Sequence, residues 1–514
     1  MARLKSLFRV LFVRAEYAFD VAFGQQCNPL SWLGALGWYF FWIVAGTGVY
    51  LYIFFDTGIT NAYASVEYIT NDQWYAAGVM RSLHRYASDA LVIVVVLHLL
   101  REFSLDRLRG KRFFAWLTGV PALFFIYLCG ISGYWLVWDE LAQFIAIATA
   151  EWLDALPLFA EPIANNFLNS TTLGDRFFTL MVFIHIFVPL FMLILMWIHI
   201  QRHARARVNP PRPLAIGTAI TLIVLSLLHP AVSQGPADLD VVPTELAFDW
   251  FYLAAYPLLD IIPGGQLWLV IVGGLALLAL FPWLPPQKSA PAAVVSLDNC
   301  NGCARCFDDC PFGAISMVRR SDGKAYETEA EVNLDNCLSC GLCVGACPTS
   351  TPFRRATEII PGIELPEHPI AALRENTVAA SGQFGEGPRV LVYTCEYSGA
   401  DKLRNEGAQV ITMPCIAMLP PSFIDFALSR NLADGVVLAG CAAGDCYYRL
   451  GGHWTSERLN GERDPYLRKR VDRNRVCFMR TRPGSGKQRQ AEFADFAATL
   501  ANLPPASHKM SADE

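Results

Sequence analysis

Long apolar runs fill the first 283 residues and leave few folds open to that part of the chain. Six stretches, at 33–55, 79–100, 114–136, 177–200, 213–229 and 265–283, approach or exceed the roughly 20 residues a helix needs to cross a bilayer. Lipid offers the backbone no hydrogen-bond partners, so successive runs of this kind fold as a helical bundle. The segments between them alternate in sign. Arg3, Lys5, Arg9 and Arg14 precede the first run, and Asp56, Glu67 and Asp72 follow it. Arg101, Arg107, Arg109, Lys111 and Arg112 come next, then Asp139, Glu140, Glu151, Asp154 and Glu161. Arg202, Arg205, Arg207 and Arg212 form the fifth connection, and Asp238, Asp240, Glu245, Asp249 and Asp260 the sixth. Basic loops stay in the cytoplasm. Six spans with both termini on the cytoplasmic side of a bacterial inner membrane satisfy that rule at every turn.

Composition separates the two halves. The 514-residue chain is 54% hydrophobic and 17% charged, against about 25% charged in an average soluble protein. All cysteines except Cys27 and Cys129 lie beyond Pro285. They fall in C-x-x-C ladders inside a large chain, which excludes a disulfide-rich secreted scaffold. A net charge of −5 gives no basic footprint for nucleic acid. Residues 4–23 mix apolar and basic side chains without a clean apolar core or small-residue cleavage site, so no cleavable leader is expected there. An amphipathic helix on the cytoplasmic membrane face fits them better. The division expected is a membrane domain at 1–283, a Pro/Ala linker at 284–297, a cysteine-ladder domain at 298–352, a polar connector at 353–388, an α/β domain at 389–478, and a polar tail with a short helix at 479–514.

Four histidines lie inside two of the runs. His84 and His98 are 14 residues apart, as are His185 and His199. That spacing is nearly four helical turns, so each pair shares a face at two depths roughly 21 Å apart. Two such helices facing each other suit two bis-histidine hemes stacked across the membrane; the alternative is polar histidines packed in a bundle core. Gly34 and Gly48, and Gly119 and Gly133, repeat the 14-residue spacing in the first and third runs. Flat macrocycles at two depths need two places on each neighbouring helix where a side chain is missing.

The ladders read C-x2-C-x2-C-x3-C-P twice, with Cys300, Cys303, Cys306 and Cys310, then Cys337, Cys340, Cys343 and Cys347. In this pattern three thiolates serve one cubane and the fourth crosses to the other. One [4Fe–4S] cluster would take Cys300, Cys303, Cys306 and Cys347, and the other Cys337, Cys340, Cys343 and Cys310. Structural zinc is the competing assignment. Further on, RVLVYTC, QVITMPC and DGVVLAGC read as three buried strands, each ending in a cysteine, with helical stretches such as PPSFIDFALSRN between them. That alternation predicts a parallel sheet. Cys395, Cys415 and Cys441 would meet at the carboxyl ends of the strands, with Cys446 close by. Four thiolates there suit a [2Fe–2S] cluster near the surface; inert buried cysteines or a redox-active dithiol are the alternatives.

These motifs carry three resemblances. RSLHRYASDALVIVVVLHLLREF, the glycine pairs and RFFTLMVFIHIFVPLFMLILMWIHIQRH resemble cytochrome b of the quinol–cytochrome c oxidoreductases and its photosynthetic counterpart, over residues 5–283. The resemblance implies an outer heme b between His84 and His185, an inner one between His98 and His199, and Arg81 at a heme propionate. Where that family has Pro-Glu-Trp-Tyr at its outer quinol site, this chain has Phe248-Asp249-Trp250-Phe251, and it has no Rieske-type ligand set. Asp249 is the candidate proton carrier there, with a solvated loop carboxylate as its alternative role. Cys27 and Cys129 read as ordinary thiols. The ladders resemble bacterial two-cluster ferredoxins. CEYSGAD, MPC and GCAAGDCYYR, within 389–450, resemble the small iron–sulfur (delta) subunit of hydrogenase–heterodisulfide reductase complexes, with Val392 where that family often has a further cysteine. Cys477 lies outside the motif.

Taken together, the expected architecture is mixed and multidomain: a six-span helical bundle, a ferredoxin-like α+β domain and a small α/β parallel-sheet domain. The expected function is electron transfer between a cytoplasmic flavoprotein, heterodisulfide reductase-like or another FAD dehydrogenase, and membrane quinone. The C-terminal unit would be its docking and electron-intake module. A homodimer through the bundle is compatible with this. A membrane-anchored redox sensor, and a quinol-oxidising subunit feeding a cytoplasmic reductase, are the alternatives.

Overall fold

The computed structural model describes residues 2–109, 112–157, 162–164, 174–201, 207–284, 290–354 and 359–504. Lys111, Glu161, Arg202 and Arg205, which the charge alternation used, lie outside them, as do residues 285–289 of the linker. The chain forms two compact units.

The first unit is built from apolar helices. Leu33–Phe54, Trp74–Ser104, Phe113–Trp135, Phe178–Gln201 and Gly264–Trp283 are each long and apolar enough to cross a membrane. The fifth expected span, 213–229, forms a shorter helix, Arg212–Leu228, of 17 residues. At 1.5 Å per residue it is about 25 Å long, at the lower limit for a span. Val49, Ile53, Leu190, Ile194 and Leu269 project from these helices and are exposed, which fits a lipid-facing surface. Pro211 and Pro263 stand immediately before the last two helices, where a missing N–H costs nothing. An additional helix, Glu140–Asp154, lies outside the six expected spans. Asp139 caps it by accepting from the Ala142 amide at 2.9 Å, and Leu141, Ala142, Ile145 and Ala146 are buried along one stripe. Helix Leu33–Phe54 packs along Val79–Ser104, and Phe113–Trp135 packs along Asp175–Gln201. Each glycine-bearing helix thus lies against a histidine-bearing one.

The second unit holds residues 9–31 together with the chain beyond the linker. The helix Ala2–Cys27 supplies residues 9–27 of this unit. Phe12 and Glu16 are buried, whereas Leu11, Tyr17 and Val21 are exposed. Arg482 reaches Glu16 at 3.1 Å and Asp20 at 3.0 Å, and donates to the Ser31 hydroxyl at 2.8 Å. One face of the segment, with Phe12 and Glu16, docks on protein, and the other, with Leu11, Tyr17 and Val21, is exposed.

Beyond the linker, β2 (Ile315–Arg319) pairs antiparallel with β3 (Thr328–Val332). β1 (Val294–Val295) pairs antiparallel with β4 (Ile363–Glu364), joining the end of the expected linker to the expected connector. That connector continues into the helix Ile370–Ala380, which buries Ile370, Leu373 and Ala380. Its Thr377 hydroxyl lies 2.9 Å from the Tyr393 hydroxyl in the core. The C-terminal sheet is entirely parallel, ordered β6 (Gln409–Met413), β5 (Val390–Cys395), β7 (Gly435–Cys441), β8 (Val476–Thr481). β5 and β7 are buried throughout, as parallel strands covered on both faces should be. Three strands were legible in sequence. The fourth, VCFMRT, lies at the sheet edge, and Arg480 breaks its apolar run. Residues 479–481, expected in a tail, finish this strand, and the helix Gly486–Ala501 buries Phe493, Phe496 and Leu500 against the sheet.

Candidate redox centres

In the helical unit each span histidine faces one glycine. A Cβ on Gly48 would stand 3.0 Å from His84 Cε1, and one on Gly133 3.0 Å from His185 Cε1. The corresponding distances are 3.5 Å for both Gly34 with His98 and Gly119 with His199. Each of these glycines leaves room for an imidazole beside it. The rings are also oriented. His84 Nδ1 lies 3.0 Å from the Val44 carbonyl and 3.1 Å from the Thr47 hydroxyl. His185 Nδ1 lies 3.1 Å from both the Cys129 carbonyl and the Ser132 hydroxyl. His199 Nδ1 lies 2.9 Å from the Thr118 hydroxyl. Because Thr47, Ser132 and Thr118 donate their own protons to helix carbonyls, they can accept from Nδ1–H. That tautomer leaves the Nε2 lone pair free for a metal. Thr47, Thr118 and Ser132 went unnoticed in the sequence, although each immediately precedes one of the paired glycines.

The His84 and His185 rings lie 6.3 Å apart, centre to centre. An imidazole nitrogen sits about 2 Å from a bound first-row metal ion, and the ring centre is roughly 1 Å further out. Two rings on opposite sides of one ion are therefore about 6 Å apart. The residues present fit a bis-histidine heme at this depth. Arg81 donates to the Ser233 hydroxyl at 2.9 Å and to Thr70, and lies 4.0 Å from Glu67.

Asp249 is not a solvated loop carboxylate. One of its oxygens accepts from Arg85 and Tyr134, and the other accepts from the Phe251 amide at 2.7 Å. Arg85 also lies 3.3 Å from Asp89, one turn further along its own helix. Beside this network Tyr252 shares a 2.6 Å hydrogen bond with Ser88, and burial raises its phenol above the ordinary value. Arg85 was missed because its partner Asp249 lies 164 residues away.

In the second unit the eight ladder cysteines line two cavities. One is lined by Cys300, Cys303, Cys306 and Cys347, and the other by Cys310, Cys337, Cys340 and Cys343. The fourth cysteine of each run has crossed to the other set. The loops achieve this with left-handed residues at matching places: Gly302 and Ala304 in the first, Ser339 and Gly341 in the second. Such turns aim backbone N–H groups into a concavity that favours negative charge. Amides of Ala314 and Ala293 point at Cys310 Sγ (3.2 Å) and Cys337 Sγ (3.5 Å). Burial pushes the Cys306 thiol up to about 12 and raises Cys340 and Cys343 as well. Such thiols ionise only against a positive centre, which a cluster's iron supplies. The competing assignment, mononuclear zinc, takes four ligands at one ion, whereas each set here draws its fourth cysteine from the other run, as paired cubanes do. Both four-cysteine sets fit a cubane.

The sheet brings Cys395, Cys415, Cys441 and Cys446 together. Cys395 Sγ lies 3.3 Å from Cys441 Sγ, and Cys446 makes thiol contacts with Cys415 and Cys441. Those contacts, followed by amides of Gly452 and Tyr448, hold Cys446 well below the ordinary thiol value; Cys415 and Cys441 are raised. A Cβ on Gly451 would meet Cys415 Sγ at 2.2 Å, so only glycine fits there. Four thiols gathered at one sheet end fit a [2Fe–2S] cluster held by two cysteine pairs. Cys395, Cys415 and Cys441 are all buried, however, whereas Cys303 of the ladder is exposed. The expectation of a surface-near C-terminal site is thus met by buried thiols, because the helix Gly451–Asn460 and the turn at Ile416–Met418 cover that sheet end. Cys477 packs in a separate core with Phe493 and Leu500.

These features define a membrane-type helical domain with paired histidines, joined to an eight-cysteine ferredoxin-like domain and a parallel-sheet domain with four clustered thiols. Residues 21–204 match the family model for cytochrome b/b6/petB. Residues 299–351 match that of the 4Fe–4S dicluster domain, and residues 390–504 that of the methyl-viologen-reducing hydrogenase delta subunit. The chain is thus similar in its three parts to three families of electron-carrying proteins, and is a membrane electron-transfer subunit. Among solved structures, a chain of a hyperthermophilic respiratory complex III is similar at 20% identity and a TM-score of 0.41, over 50% of this chain and 76% of that one.

Proposed function

We propose that this protein is the quinone-reactive electron-transfer subunit of a larger oxidoreductase, linking a soluble cytoplasmic flavoprotein to the quinone pool of a bacterial inner membrane. In this reading His84 with His185 holds the outer heme b, and His98 with His199 the inner. Cys300, Cys303, Cys306 and Cys347 hold one [4Fe–4S] cluster, Cys337, Cys340, Cys343 and Cys310 the other, and Cys395, Cys415, Cys441 and Cys446 a [2Fe–2S] cluster. When bound, these groups supply one-electron steps; the protein's part is to space, orient and insulate them.

The observation that carries the reading is the packing of Cys340 and Cys415 into one apolar cluster with Phe312, Leu342, Tyr448 and Trp454. The second ladder site and the four-thiol site therefore share a dry wall, the arrangement expected of neighbouring stations on an electron route. On the membrane side, the field weights the direction of flow by about 2.3 kcal/mol per charge per 100 mV. Electrons leaving the cytoplasm for an outer quinone draw on that field, and electrons arriving from quinol build it.

The test is quinone reduction by the protein purified with its soluble partner. The expected result is reduction that depends on the partner's reductant, with both hemes reduced on the way. A partner that reduces quinone equally fast without this chain would overturn the proposal.

A further inference from the structure

Arg458 is a fully buried arginine whose partners all adjoin the two neighbouring cysteine sites. It lies on the helix Gly451–Asn460, and its side chain is 1% exposed. One end of its guanidinium donates to the Ala417 carbonyl at 2.8 Å, two residues after Cys415. The other donates to the Asp309 carboxylate at 2.5 Å, next to Cys310, and reaches the Leu342 carbonyl at 3.5 Å, between Cys340 and Cys343. Gly345 supports the same contact: a Cβ there would strike the Ala417 carbonyl at 1.9 Å and the Arg458 guanidinium at 2.8 Å. Asp309 is 2% exposed and also takes Arg463, which in turn pairs with Glu457 at 2.6 Å. The four charges, two positive and two negative, balance.

Burying a guanidinium and a carboxylate adds little net stability compared with apolar residues of the same volume. Three modest carbonyl and carboxylate bonds do not require a permanent charge either. What such a charge does supply, in a medium of low effective dielectric, is a field on groups whose charge changes. Reduction adds one negative charge to a cluster, so a nearby cation favours it.

We propose that Arg458 is a positioning and potential-setting residue. It fixes the second ladder site against the four-thiol site, and its charge, offset by Asp309, sets how readily both are reduced. This rests on the reading of those cysteines as cluster ligands given above. Removing the arginine leaves the quartet at net −1, and neutralising Asp309 leaves it at net +1. The two changes must therefore move the potentials in opposite directions. Loss of packing alone would not do that.

The experiment is a redox titration of the full-length protein, followed by electron paramagnetic resonance, in four forms: unmodified, Arg458→Met, Arg458→Lys and Asp309→Asn. Arg458→Met should make the affected clusters at least tenfold harder to reduce, a fall of about 59 mV for one electron. Asp309→Asn should raise the same midpoints. Arg458→Lys should keep the potentials, because the charge remains, and weaken the magnetic interaction between the two clusters, because the forked contact is lost. If Arg458→Met does not fold, Asp309→Asn and Arg458→Lys still decide the matter. Shifts in the same direction, or unmoved midpoints with clusters present, would overturn this inference alone. Unmodified protein lacking iron and acid-labile sulfide would overturn the cluster reading and the inference together.

Discussion

Three of the four span histidines are held by a hydroxyl that directly precedes the glycine they face, so a ring, its support and its clearance come from a two-residue motif and one partner. Replacing His84 by alanine should remove one of two b hemes, and replacing His98 should remove the other. A pyridine hemochrome count of two per unmodified chain and one per variant is the expected outcome. Thr118→Val keeps the His199 ring but loses its acceptor, and should weaken heme retention by about 10–100-fold, measured as heme lost on dilution into apomyoglobin. The 14-residue repeats made the histidines legible. The hydroxyls were not, because a threonine in an apolar helix usually bonds back to its own backbone, and here it does both. The Arg85–Asp249 contact was illegible for a different reason: nothing local to either residue announces a partner in another segment.

At the scale of elements, the edge strand Val476–Thr481 and the helix Gly486–Ala501 complete the C-terminal layer structure. Phe496→Ala should cost about 3–5 kcal/mol of that unit's stability, seen as a lower thermal midpoint of the soluble part in calorimetry of the whole protein. A pH effect belongs to the same sheet. Arg389, hydrogen-bonded to Asp434 at 2.8 Å beside the start of β7, holds that carboxyl below its ordinary value. The contribution is therefore present at neutral pH and is lost as the pH falls through the lowered folded value. Both side chains are about a third exposed, so it amounts to roughly 1 kcal/mol or less. Melting curves of the unmodified protein and Asp434→Asn should differ at pH 7 and converge on acidification. The two central strands, β5 and β7, and β6 at the far edge were legible as short apolar runs ending at or near a cysteine. The edge strand Val476–Thr481, the strand pair formed by residues 294–295 and 363–364, and the helix Ile370–Ala380 were not. Each is short or mixed in composition and acquires its buried face only from neighbours distant in sequence.

For the whole molecule, the question is where electrons are admitted. The proposed route admits them at the C-terminal domain, although the exposed cysteine of the ladders is Cys303. Cys441→Ser combined with Cys446→Ser should abolish heme reduction by the soluble partner while leaving dithionite-reduced heme spectra unchanged. Partner-driven reduction that survives in this variant would move the intake to the Cys303 site. A further consequence concerns time rather than electrons. The segment that carries Glu16, Asp20 and Ser31 is made long before the domain on which it docks. Its arginine partner, Arg482, is encoded 451 residues after Ser31. At roughly 5–20 residues per second, about 20–90 s pass on the ribosome before Arg482 exists. During that interval two carboxylates destined for burial must stay hydrated, which keeps the segment off the finished domain until synthesis has passed the last strand.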